Sequence, residues 1–105
     1  MTPRYLRLQD VLAQLAVDDA FLRQVCDEGL VEIKHTVDEE PVISMEDAER
    51  LRVITVLMRD MDVNLAGAEV ILHLRDDVTA MHRQFDEILR TLVDELRRRL
   101  GGPER

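Results

Sequence analysis

The chain has 105 residues and a formal charge of −8, with 46% apolar and 34% charged residues, which excludes a disordered polymer and fits one domain. Aromatics are only 3% with no Trp, so a core has to be built from Leu, Val, Ile, Met and Ala. The acidic surplus argues against free duplex DNA or an anionic membrane as partner, and the single cysteine, Cys26, rules out an internal disulfide and a thiolate zinc cluster.

Leu8, Val11, Leu12 and Leu15 recur at helical spacing and predict a first helix over about Leu8 to Ala16. Asp18 or Asp19 is placed to cap a second helix over about 19–28, with Leu22, Val25 and Cys26 on one side and Gly29 as its stop. The short connection is that of a helix-turn-helix. Leu30-Val31-Glu32-Ile33 and Pro41-Val42-Ile43 then read as a two-stranded wing with an acidic tip at Asp38-Glu39-Glu40. Such a ribbon is marginal alone and has to lean on helices. Ser44 and Asp47 resemble a capping box opening a third helix of about 45–60, whose buried face is Ala48, Leu51, Ile54, Leu57, Met58 and Met61. Asn64 is placed to cap the last helix.

That helix carries the strongest signal. Ile71, Leu74, Val78, Met81, Phe85, Ile88 and Leu92 are spaced alternately three and four apart, a heptad seam that breaks at Glu95. Opposite charges four apart, such as Arg83–Glu87 and Glu95–Arg99, support the helix. From about 65 to 100 it would be roughly 50 Å long at about 1.5 Å per residue. No other segment is left to cover its stripe, so these seven residues are expected to pair with a second copy, antiparallel or parallel. The expected domains are a winged helix-turn-helix over 1–62, a dimerisation helix over 63–100 and a disordered tail over 101–105. The Arg97-Arg98-Arg99 cluster either complements the helix C-terminal dipole or meets something acidic.

Chemistry is not indicated. His35, His73 and His82 are scattered, and His73 and His82 are nine apart, too far to share a metal. Neither a glycine-rich phosphate loop nor a Gly-x-Ser-x-Gly elbow occurs. Asp76-Asp77 and Glu39-Glu40 are neighbours that do not face each other on a helix. Cys26 beside Asp27 and Glu28 has its thiolate disfavoured. The chain is therefore expected to have no catalytic residues, no metal and no cofactor. It has neither a secretory h-region nor an apolar run long enough for a bilayer, which points to the cytosol.

The order of elements resembles the MerR-like winged-helix architecture, mainly α. Tyr5-Leu6-Arg7-Leu8 resembles the opening of its first helix. Leu22-Arg23-x-x-Cys26-Asp27-Glu28-Gly29-Leu30-Val31 is similar to the end of its recognition helix and the Gly-Leu-Val turn. Val63-Asn64-Leu65-Ala66-Gly67-Ala68-Glu69-Val70-Ile71 is similar to the start of the last helix in heat-shock repressors of this superfamily. Leu72-His73-Leu74-Arg75-Asp76-Asp77-Val78 resembles the chaperone-modulator (CbpM) branch more closely. The resemblance spans about residues 5–98. Members of that branch bind the J domain of a DnaJ-type co-chaperone and block its stimulation of Hsp70, so the resemblance implies a non-catalytic inhibitor.

Charge bears on the choice of branch independently. Residues 1–50 hold twelve acids against five bases, and residues 51–105 ten against nine. The acidic half complements the basic helix of a J domain. By charge alone, the expected contact residues are Asp27, Glu28, Glu32, Asp38, Glu39 and Glu40. DNA readers of this architecture carry bases at those places. Arg4, Arg7, Arg23 and Lys34 keep a DNA-binding transcriptional regulator as the alternative, and an unrelated coiled-coil adaptor is the third reading.

Overall fold

The structure is a computed structural model and describes residues 4–101. In chain order the elements are strand β1 (Tyr5–Arg7), helices α1 (Leu8–Leu15) and α2 (Asp19–Asp27), and strands β2 (Ile33–His35) and β3 (Pro41–Ser44). Helices α3 (Met45–Asp60) and α4 (Leu65–Leu96) follow, with α4 closing in a wider π-helical turn over Arg97–Gly101. The fold is a mainly α winged helix-turn-helix with a long C-terminal helix.

Local chemistry sets the helix ends. The Asp18 carboxylate accepts from the Phe21 amide at 2.8 Å, so Asp18 rather than Asp19 is the cap of α2. Ser44 Oγ accepts from the Asp47 amide at 3.0 Å, and Asn64 Oδ1 from the Gly67 amide at 2.8 Å. At the end of α2, Gly29 takes φ +75°, its amide donating to the Cys26 carbonyl and the Leu30 amide to that of Val25. This paired closure needs a left-handed residue, which glycine supplies without a Cβ clash.

The wing differs from the two-stranded expectation. It is a three-stranded antiparallel sheet in the order β1-β3-β2. Tyr5-Leu6-Arg7 does not open the first helix. It pairs along β3, Leu6 opposite Ile43 and Arg7 opposite Val42, and the Met45 amide donates to the Arg4 carbonyl. The third strand gives the ribbon the support it needs. The first wing strand also starts later than expected. Leu30 and Val31 are buried in the core and Glu32 is held by its amide on the Asp47 carboxylate at 3.0 Å, so pairing begins only at Ile33.

The chain divides into two compact units, Met1–Leu72 and His73–Arg105. The core of the first joins Val11 of α1, Leu22 and Val25 of α2, Leu30, Val31, Ile43, and Leu51, Ile54 and Leu57 of α3. Ala68 and Leu72 from the first turns of α4 complete it. Each large side chain fully buried there contributes about 1.5–3 kcal/mol. Met61, expected on the buried face of α3, is instead exposed, because it is the residue after the helix ends. Thr55, absent from that expected face, is buried, its hydroxyl donating to the Leu51 carbonyl at 2.8 Å.

In the second unit, α4 runs as one helix and its apolar side chains are exposed. Gly101 belongs to the closing turn, while 102–105, most of the expected tail, lie outside the described residues.

Candidate functional site

The candidate acidic surface of the first unit is assembled from three places. Asp27 and Glu28 sit exposed at the end of α2, which runs only nine residues before Gly29 turns the chain. Glu32 is exposed in the connection to β2. Asp38 and Glu39 are exposed in the loop between β2 and β3. That loop is tightly held. The Thr36 amide donates to the Glu40 carbonyl and the Glu39 amide to the Thr36 carbonyl, both at 2.9 Å. The Thr36 hydroxyl accepts from the Glu40 amide at 3.1 Å. Glu39 is thereby fixed at φ 67°, the left-handed residue that closes a three-residue hairpin loop.

The six acids are not equivalent. Glu40 is half-buried and its carboxylate lies 2.9 Å from Arg7 Nε on β1. Glu32 lies 3.6 Å from Lys34 Nζ on β2. Asp27, Glu28, Asp38 and Glu39 hold no ion pair among the described residues. The unneutralised charge is thus concentrated in two pairs of neighbours. The structure also places at the loop tip a residue that the charge pattern overlooked. Val37 is 99% exposed, so the tip presents an apolar side chain beside its acids. Only its place between polar neighbours hinted at this.

Cys26 packs against the core, and its thiol is pushed up from its ordinary value. Burial is the largest cause, followed by the Asp27 and Asp47 carboxylates. That environment suppresses a nucleophile. Among the described residues no three His, Cys, Asp or Glu side chains gather closely enough to hold a metal ion, and no helix is long and apolar enough to cross a membrane.

The second candidate surface is the apolar row of α4. Ile71, Leu74, Val78, Met81, Phe85, Ile88 and Leu92 all present exposed side chains, as do Leu89, Val93 and Leu96. Glu95, which interrupts the heptad, is clasped within its own helix, taking Arg98 on one carboxylate oxygen and Arg99 Nε on the other at 3.3 Å.

A helix-turn-helix of α1 and α2, a small wing and a long C-terminal helix together define a winged helix-turn-helix of the regulatory class. Residues 6–90 match the family model of the MerR HTH family regulatory proteins, and the chain belongs to that family. No curated protein matches the chain significantly.

Proposed function

We propose that this chain is a non-catalytic modulator of the cytosol that binds and inhibits the J domain of a DnaJ-type co-chaperone, and that it works as a homodimer through α4. One observation carries the reading. Asp27, Glu28, Asp38 and Glu39 are exposed without ion pairs among the described residues, at the end of the second helix of the motif and at the wing tip. A DNA reader presents bases there, because each neutralised phosphate releases counterions, whereas each acid repels. A basic helix is the complementary partner. Pairing through α4 is supported by the exposed row from Ile71 to Leu92, apolar area whose contact with water is costly.

The test is calorimetric titration with the J domain of the co-chaperone from the same organism. Saturable binding near one J domain per chain supports the proposal. No heat at several temperatures, with the J domain folded, sinks it. The family's regulatory helix-turn-helix and Arg23, exposed on α2, favour DNA binding as the second reading. A gel shift on a two-fold site that survives about 150 mM salt would select it, since salt strips nonspecific phosphate contacts first.

A further inference from the structure

Resting on the proposed contact with a J domain, we infer that Val37 is the apolar anchor of that contact. The wing tip seats the Val37 side chain in an apolar recess of the partner, between bases that meet Asp38 and Glu39. Val37 keeps 99% of its surface in water, against 62% for Met61, the next apolar side chain of the first unit. A lone exposed apolar residue is ordinary on a protein surface. This one, however, does nothing for the loop that carries it. Turns favour Gly, Pro, Asn, Asp and Ser, which supply a positive φ, a fixed φ or a side-chain acceptor. Here Glu39 takes the positive φ and the Thr36 hydroxyl is the acceptor. The closing bonds run between Thr36, Glu39 and Glu40. Neither packing nor turn chemistry therefore calls for valine at position 37.

Binding does. The hydrogen bonds on either side of Val37 hold the tip in one conformation, and a β-branched side chain is stiff at χ1, so little entropy is lost when it is seated. Its surroundings state the chemistry of the partner. Asp38 and Glu39 follow it without an ion pair among the described residues, while Arg7 and Lys34, the arginine and lysine of the sheet, are taken up by Glu40 and Glu32. Carboxylates beside an uncovered methyl pair are repelled by phosphates. They fit a protein surface with an apolar centre and a basic rim. The two parts then act on different steps. The acids attract at a distance and set the encounter rate, whereas the valine contact forms only on close approach and sets the residence time.

The experiment measures association and dissociation rates of the full chain with the J domain of the co-chaperone from the same organism, for wild type, Val37→Thr and Val37→Asp. Urea midpoints should not move, because the side chain is exposed. Val37→Thr keeps the shape and exchanges a methyl for a hydroxyl. It is expected to leave the on-rate unchanged and to speed dissociation about tenfold. Val37→Asp adds a carboxylate, so attraction by charge alone would tighten the complex. The anchor predicts the opposite, association no slower than wild type but dissociation faster by about tenfold or more. A Val37→Thr off-rate equal to wild type, or a tighter complex with Val37→Asp, would overturn the anchor and leave the J-domain reading standing. Wild type that fails to bind the folded J domain would overturn that reading and the anchor with it.

Discussion

Ala16 adopts a left-handed backbone at φ 55°, ψ 49° to end α1, in the place where glycine serves α2. The conformation costs a non-glycine residue about 1–2 kcal/mol. It is held from outside the helix, since Arg59 on α3 donates through Nη1 to the Leu15 carbonyl at 3.1 Å and through Nη2 to the Ala16 carbonyl at 2.8 Å. Ala16→Gly should therefore raise stability by about 1 kcal/mol, less what the more flexible unfolded chain takes back. Arg59→Ala should lower it by about 1 kcal/mol, because two carbonyls lose charged donors at an exposed site. Urea midpoints with unchanged slopes would confirm both, and a stabilising Arg59→Ala would refute the capping role. Cys26 supplies a pH test. Its folded value is raised by burial and by Asp27 and Asp47, so folding favours the neutral thiol. That contribution to stability is whole below the unfolded value and is lost as pH rises through the folded one. Its alkylation rate should accordingly climb at higher pH than that of the same thiol in urea. Coincident profiles would contradict the packing of Cys26.

At the scale of elements, the wing tip carries the partner prediction most sharply. Reversing Asp38 and Glu39 to Lys should slow association with the J domain and flatten its salt dependence, since long-range attraction sets encounter rates and salt screens it. Glu40 is the control. It is tied to Arg7, so Glu40→Gln should cost little in on-rate. Stopped-flow rates at two salt concentrations decide, and an on-rate unmoved by the double reversal takes the wing out of the interface. The residues that were legible beforehand are those whose signal is local. The caps at Asp18, Ser44 and Asn64, the stop at Gly29 and the periodic faces of α1 and α3 are short-range chemistry, readable within a turn or two. Strand β1 was not legible, because Tyr5-Leu6-Arg7 is three residues long and owes its extended form to pairing with Ile43 and Val42 far along the chain. Leu30 and Val31 misled for a related reason. Their apolar character, and the β-branch of Val31, suit a strand, but tertiary burial claims both before the sheet begins. The acids were visible by charge, while the ion pairs that single out Glu32 and Glu40 depend on Lys34 and Arg7 coming beside them in the folded sheet.

For the whole molecule, the division into two units puts the core and the row proposed for pairing largely in different units. The core around Val25, Ile43, Leu51 and Ile54 lies entirely in the first unit, together with Leu72. Phe85 and Leu92 belong to the second unit and are exposed in the single chain. A charge placed there removes nothing from that core. In a dimer it would sit in a desolvated seam, where an unpaired carboxylate costs several kcal/mol after relaxation. Phe85→Asp should consequently abolish the dimer and leave the winged unit folded. The distal helix would then stand alone, with little beyond its own backbone bonds and pairs such as Glu95–Arg99 to hold it, and helices without tertiary packing fray. Hydrogen exchange read alongside light scattering tests this in one preparation. The expected result is a halved mass, with amide protection lost over residues 73–96 and retained over the buried stretch from Leu51 to Leu57. Protection lost in both stretches would mean that assembly supports the core as well. An unchanged mass would remove Phe85 from the interface and return the function of the long helix to a partner of different sequence.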